Sequence, residues 1–288
     1  MVSEHEFAAA DPAAVAGNVA AALAEDLGSG DVSAALVPDH PARARIITRE
    51  PMLLCGRPWA EACFRQLDPN SQLHWQADDG ERLESGATLV EISGQARALL
   101  SGERSALNFL QLLSATASET ARYVAALAGT PTRVLDTRKT LPGLRLAQKY
   151  AVRCGGGVNH RIGLFDAVML KENHIAAAGS IAAAMERAKQ QFPTLPLIVE
   201  VESMDELRQV IAAGGCTRVL IDEFSLSDMQ AAVELCRPIG LPLEVSGGVS
   251  FDRLAEIGAT GVDFVSIGSL TKHVRAIDLS MRFIAPVR

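Results

Sequence analysis

Between Asp136 and His174 the chain gathers basic side chains. Residues 133–174 carry Arg133, Arg138, Lys139, Arg145, Lys149, Arg153, Arg161 and Lys171 against only Asp136, Asp166 and Glu172. The segment is therefore net positive by five, while the whole chain has a net charge of -7. A cationic island in an acidic protein suits a small anionic ligand. Arg145, Lys149 and Arg153 recur every four residues, the spacing of one helix face, and read as solvated charge. Arg138, Lys139 and Lys171 follow predicted strands, where barrel enzymes keep their chemistry, and read as working groups. Gly155-Gly156-Gly157 leads into Asn159-His160-Arg161. Such glycines let backbone N–H groups approach a ligand, and the Arg161 guanidinium would fork onto a carboxylate.

A second set of residues could serve a phosphorylated ligand. Ser246-Gly247-Gly248-Val249 and Ile267-Gly268-Ser269 end two successive predicted strands. Loops in that position can form a phosphate cup from backbone N–H groups. Glu200 and Glu202 share one strand face, and Asp222 ends the next strand. Three roles stay open for these carboxylates. They could hold Mg²⁺ beside a phosphate, stabilise a developing cation on a sugar, or pair with Lys171.

The elements that must position these groups follow from periodicity. The strands expected after Pro131 are 133–136, 166–170, 197–201, 218–222, 242–246 and 263–267. Helices are expected at 144–153, 177–191, 204–213, 226–236 and 251–257. The alternation implies a parallel sheet with right-handed crossovers. A chemical residue at each strand end favours a β/α barrel over an open sheet. Only six strands are counted, so the barrel is incomplete or a first strand hides in the helical zone 102–128. Earlier, a helix at 13–27 and strands at 43–50, 72–77 and 87–93 describe a separate α/β region.

Composition narrows the function classes. The acidic balance argues against a general nucleic-acid binder. The five cysteines are scattered, with no C-x-x-C pair, which predicts neither a disulfide framework nor a zinc site and suits a reducing cytosol. No segment has the ~20 apolar residues of a membrane span. The expectation is a soluble, cytoplasmic enzyme.

The run DTRKTLPGLRLAQKYAVRCGGGVNHRIGLFDAVMLKENH at 136–174 resembles the signature of the quinolinate phosphoribosyltransferase family. EDLGSGD at 25–31, SGERSALNFLQ at 101–111, VEVE at 199–202, EVSGGV at 244–249 and SIGSLTKH at 266–273 extend the resemblance over almost the whole chain. It implies transfer of phosphoribosyl from phosphoribosyl pyrophosphate to quinolinate, with release of pyrophosphate and CO₂, giving nicotinate mononucleotide for NAD synthesis. The implied fold is an N-terminal α/β sandwich over 1–115, with 272–288 returning to it, and an incomplete parallel β/α barrel over 116–271. Thr137, Arg138, His160, Arg161 and Lys171 would then contact substrate, chiefly the quinolinate carboxylates. Arg104 would reach in from a partner subunit of a homodimer, with higher oligomers left open. Lys139 would meet the phosphoribosyl substrate near its pyrophosphate. Glu200 and Asp222 would face the ribose and its Mg²⁺, and with Lys139 form the catalytic set. Ser246, Gly247, Gly248, Ile267, Gly268 and Ser269 would hold the 5′-phosphate. No organic cofactor, nucleic acid or membrane is implied. Two features depart from the family pattern. Glu223 stands where Asn is common, and the loop Gly214–Thr217 is one residue longer than in some relatives.

A nicotinate-specific transferase would not need so many carboxylate-binding cations. A Schiff-base lyase using Lys139 or Lys171 is a second rival, and a non-catalytic sensor of phosphorylated ligands a third.

Overall fold

The structure, a computed structural model, describes residues 9–284, so the outermost residues of the expected domain ranges, 1–8 and 285–288, lie outside it. The chain divides into two compact units: Met1–Ala121 with Thr140–Gly156 and Ser269–Arg288, and Arg122–Lys139 with Gly157–Gly268.

The first unit opens with α1 (Pro12–Leu27), started by the Asp11 carboxylate, which accepts from the Ala13 N–H. Pro12 sits in the first turn, where a missing N–H costs nothing. β1 (Pro41–Thr48), β2 (Met52–Leu53), α2 (Arg57–Leu67), β3 (Gln72–Trp75), β4 (Arg82–Leu83), β5 (Thr88–Gln95) and the long α3 (Ala96–Ala126) follow. All of 102–126 is helical, so no strand hides there. An antiparallel sheet runs in the order β12-β1-β5-β3, where β12 (Leu279–Phe283) comes from the far end of the chain. Val15, Val19 and Leu23, spaced four apart, form a stripe on α1 and join a core with Trp59, Phe64, Ile46 and Leu110.

α4 (Arg145–Cys154) corrects the reading of Arg145, Lys149 and Arg153 as a solvated face. Lys149 is only 1% exposed, and Arg145 and Arg153 are half-buried. The helix is enclosed on nearly every side, burying Ala147, Gln148, Tyr150, Ala151, Val152 and Cys154 as well. Gln148 accepts from the Leu141 N–H and donates to the Thr271 carbonyl, each at 2.8 Å, and the Tyr150 ring lies 5.6 Å from that of Trp59. A four-residue charge period identifies one face of a helix. It does not say that water covers that face.

The second unit is an α/β array containing β6 (Arg133–Leu135), β7 (Val168–Leu170), α5 (Glu172–Ala178), α6 (Ile181–Gln191), β8 (Leu197–Val201), α7 (Met204–Ala213), β9 (Arg218–Asp222), α8 (Leu226–Cys236), β10 (Leu243–Ser246), α9 (Leu254–Ala259) and β11 (Phe264–Ser266). After it α10 (Ser269–Lys272) belongs to the first unit. The six strands are all parallel, in the order β6-β11-β10-β9-β8-β7. β6 and β7 are the two ends of that order, which makes this an incomplete β/α barrel. Beside β6 the chain makes one more parallel bridge, Leu135 to Val158. Ser180, Ser203 and Ser225 each accept from the N–H three residues on and so start α6, α7 and α8. The single helix expected at 177–191 is two helices. Gly179, at φ 91°, ends α5, and Ser180 caps its successor.

Strand alternation sorts the side chains of this sheet. Val199, Val201, Val219, Ile221 and Val245 pack with the helices, while Ile198, Leu220 and Ala167 cluster on the opposite side. Glu200, Asp222, Glu244 and Ser246 have the parity of that second group.

Candidate active site

The carboxyl ends of the six strands bring most of the expected residues into one row. The side chain of Lys171, the residue after β7, donates from Nζ to Glu200 Oε2 on neighbouring β8 at 2.5 Å. This is the pairing left open among the roles of Glu200. Glu200 is 8% exposed while the Lys171 side chain remains 44% exposed, so the pair is buried at its acidic end and reaches water at its basic end. On the next strand, Asp222 is in register with Ser246 of β10. Asp222 Oδ1 lies 2.7 Å from where a Cβ on Gly247 would stand. Gly247 and Gly248 have φ of 73° and 54°, so only glycine passes there without strain. Just after β11, a Cβ added to Gly268 would meet the Lys139 Cδ at 2.9 Å and the Thr137 Oγ1 at 3.4 Å. Thr137 Oγ1 also accepts from the Lys139 N–H at 3.0 Å. Lys171, Glu200, Asp222, Ser246–Gly248, Gly268 and Thr137–Lys139 thus follow one another along the sheet.

The histidine loop is set by a buried acid. Asp136 is fully buried, and its two oxygens accept from the His160 N–H and the Asn159 side-chain amide, each at 2.7 Å. Asp166 shapes the next turn by accepting from the Ile162 and Gly163 N–H groups. The Arg161 guanidinium donates to the Ala167 carbonyl at 3.2 Å. Burial first, and then the charge of Arg138, push Arg161 below its usual range, with Asp166 opposing. Arg138 and Arg161 thus put two positive charges within reach of each other.

His160 points into the sheet's inner side. Its Nδ1 accepts from the Arg161 N–H at 2.7 Å, and Arg218 Nη2 stands 3.3 Å from its Nε2. Nε2 stands 3.3 Å from Glu244 Oε2, and Arg218 Nε stands 2.9 Å from the same oxygen. Burial alone would raise the Glu244 pKa, but His160 and Arg218 outweigh it and hold this carboxyl below its ordinary value. His160, Arg161, Asp166, Arg218 and Phe264 are among the residues lining a cavity of about 550 Å³ whose walls Pro196, Thr217 and Pro242 precede β8, β9 and β10, so it lies at the amino ends of the strands, away from the row of carboxyl ends. Sequence reading passed over Asp136 as a loop anchor and over Arg218 and Glu244 entirely. The signal was there: Arg218, Leu220 and Asp222 share a parity, as do Glu244 and Ser246.

The remaining expected residues lie elsewhere. Ile267 is 2% exposed and its amide donates to the Leu135 carbonyl, so side chain and N–H are committed to the sheet. Ser269 begins α10. Arg104 is exposed on α3, in the first unit. Glu202, exposed, turns away into the start of α7, where its N–H donates to Glu206 at 2.7 Å.

The chain matches two family models, quinolinate phosphoribosyl transferase N-terminal domain over residues 31–114 and C-terminal domain over 116–282. The nicotinate-nucleotide pyrophosphorylase [carboxylating] of Mycobacterium leprae (strain TN) is 39% identical over 292 residues, covering 98% of this chain and 99% of the relative. A probable enzyme of that name from Synechocystis sp. is 40% identical, covering 91% and 90%. The solved nicotinate-nucleotide pyrophosphorylase from Francisella tularensis superposes with a TM-score of 0.93 at 45% identity, covering 98% of this chain and all of that one. With both domains matched and relatives near two-fifths identity over their full length, the chain belongs to the quinolinate phosphoribosyltransferase family.

Proposed function

We propose that this protein transfers phosphoribosyl from phosphoribosyl pyrophosphate to quinolinate with loss of CO₂, giving nicotinate mononucleotide and pyrophosphate for NAD synthesis. The observation that carries this reading is the row of strand ends: cations, then carboxylates, then a glycine pair, on consecutive strands of one parallel sheet. Arg138, Arg161 and Lys171 bind the two quinolinate carboxylates. The repulsion between Arg138 and Arg161 is relieved when the dianion enters. His160, held between the Arg161 N–H and Glu244, orients that side of the pocket. Ser246, Gly247, Gly248, Gly268 and Ser269 receive the 5′-phosphate, while Ile267 acts only as sheet backbone.

The chemistry follows from charge. The C1–O bond of the ribose breaks, and the pyrophosphate takes the electron pair and its negative charge toward Lys139 and Thr137. Asp222 and Glu200 favour the positive charge that develops on the sugar. The quinolinate nitrogen forms the new bond to C1. The ring is then a pyridinium, so the carboxylate next to nitrogen leaves as CO₂, and a proton replaces it on the ring carbon. Two oxygen-donor carboxylates on adjacent strands beside a phosphate site fit Mg²⁺, which Asp222 and Glu200 would hold directly or through water. When bound it supplies charge neutralisation at the pyrophosphate. Glu200 is partly committed to Lys171, so Asp222 is the more available oxygen donor. The protein works in the cytoplasm as a homodimer in which Arg104 of one copy completes the pocket of the other. Among the described residues no helix is long and apolar enough to cross a membrane.

Incubation with quinolinate, phosphoribosyl pyrophosphate and Mg²⁺ tests the reading, with CO₂ and mononucleotide measured together. Equal release of the two is expected. Turnover of nicotinate alone, without CO₂, would make the protein a different base's transferase.

A further inference from the structure

Far apart in the sequence, Cys55, Asp79 and Cys154 converge in the first unit. The two thiol sulfurs and a carboxylate oxygen of Asp79 all lie within 4.8 Å of one another. Cys55 lies just before α2, Asp79 lies before β4, and Cys154 ends α4. Cys55 is fully buried, Cys154 is 3% exposed, and Asp79 reaches partway to solvent. None of the three belongs to the row of strand ends described above.

Neighbours anchor the Cys55 backbone and the Asp79 carboxylate. The Cys55 N–H donates to Ser114 Oγ at 3.0 Å, and the Ser114 hydroxyl donates back to the Cys55 carbonyl at 3.1 Å. Asp79 Oδ2 accepts from the Gly56 N–H at 3.2 Å and from the Tyr150 hydroxyl at 2.8 Å. Its Oδ1 accepts from the Arg57 N–H at 3.3 Å. A carboxylate offers about four acceptor positions, so one remains on Oδ1. Ligands whose other lone pairs are tied down in this way are characteristic of metal sites. Two sulfurs and one oxygen select a thiophilic divalent ion over Mg²⁺. Around a tetrahedral zinc with Zn–S near 2.3 Å, sulfurs stand about 3.8 Å apart, so small side-chain rotations close the set. Burial, with Cys154 beside Cys55, pushes the Cys55 thiol and the Asp79 carboxyl up in the absence of an ion, and Arg153 and Arg57 oppose this only in part, so an entering cation supplies the positive charge the cluster lacks.

We propose that Cys55, Asp79 and Cys154 form a binding site for a thiophilic divalent cation such as Zn²⁺, with Tyr150 holding Asp79 in place. Both thiols release their protons to solvent as the ion enters, and a water fills the fourth position. This rests on the first unit alone and is independent of the transferase reading.

The test is titration of the reduced full chain with Co²⁺, followed by displacement with Zn²⁺. One Co²⁺ per chain is expected, with a thiolate-to-cobalt charge-transfer absorption. Cys55→Ser and Cys154→Ser each diminish that band, and the double variant abolishes it. Tyr150→Phe keeps the band but weakens affinity by roughly 10- to 100-fold, the usual cost of losing a supporting hydrogen bond. In the unaltered protein, one equivalent of Zn²⁺ is expected to displace the Co²⁺ and abolish the band; this arm needs no variant to fold. Absence of the band overturns the proposal. So does a band that survives in a folded double variant. Ready closure of a Cys55–Cys154 disulfide by a mild oxidant, with no metal uptake by the reduced chain, would make the pair a redox couple instead.

Discussion

Glu223 is the one non-glycine residue among those described with a left-handed backbone, at φ 55°. Its carboxylate crowds Gly247, where an added Cβ would stand 2.6 Å from Oε1. Asn visits this region more readily than Glu, because its short side chain bonds locally. Glu223→Asn is therefore expected to stabilise the protein by roughly 0.5–1 kcal/mol, read as a higher urea midpoint. It also removes an anionic charge beside the proposed phosphate cup, so a lower KM for phosphoribosyl pyrophosphate is expected with it. A second residue-scale effect concerns Glu244, which is buried against Arg218 and His160. Glu244→Gln leaves Arg218 without its partner and is expected to cost about 3–5 kcal/mol at neutral pH. The folded-state pKa of Glu244 is lowered from 4.5, so the advantage of the unaltered protein is full above that value. It fades as pH falls through the lower, folded value. Urea unfolding of both proteins down a pH series should show the two stabilities converging only in acid. A gap that stays constant into acid would mean the effect is packing rather than charge.

At the scale of elements, two glycines separate propensity from packing. Gly17 lies exposed within α1, and a Cβ there meets nothing within 4 Å. Gly17→Ala is expected to raise stability by about 0.5–1 kcal/mol, because alanine loses less chain entropy in a helix. Gly155 follows α4, and a Cβ there would stand 2.5 Å from the Ala117 carbonyl oxygen and 2.6 Å from the Thr120 Cβ, both on α3. Neither is the end of a flexible side chain, so Gly155→Ala must displace α4 or α3. A loss of about 1–3 kcal/mol or more is expected. The two thermal midpoints should move in opposite directions from that of the unaltered protein. The starts of α7 and α8 fall where the periodicity put them, at 204 and 226, each behind a serine cap, Ser203 and Ser225. The break at Gly179 was not legible, because alanines on both sides carry a helical pattern through it.

For the whole molecule the open matter is how many chains make one pocket. Arg104 is exposed on α3 and carries the family's resemblance, so a pocket completed in trans predicts complementation. Arg104→Ala and Lys171→Ala proteins should each be nearly inactive. Mixed in equal amounts with subunit exchange confirmed, they should regain about a quarter of the intact sites by random pairing into dimers. No recovery would place Arg104 outside a shared pocket.

The sequence by itself determined the succession of strands and helices in the second unit and which residues stand at strand ends. Those properties are local: a period of two, a serine cap, a glycine with positive φ. Lys171, Glu200, Asp222 and the Gly247–Gly248 pair were readable because a parallel sheet puts every strand's carboxyl end on one side. Tertiary structure alone decided the rest. It turned Lys149 from an expected solvated charge into a buried one, since burial depends on what packs against the helix. It brought Arg218 to Glu244 through register, and Cys55 to Cys154 across almost a hundred residues. Strand ends share a side by the geometry of the sheet, whereas two distant side chains meet only when the elements that carry them are packed together.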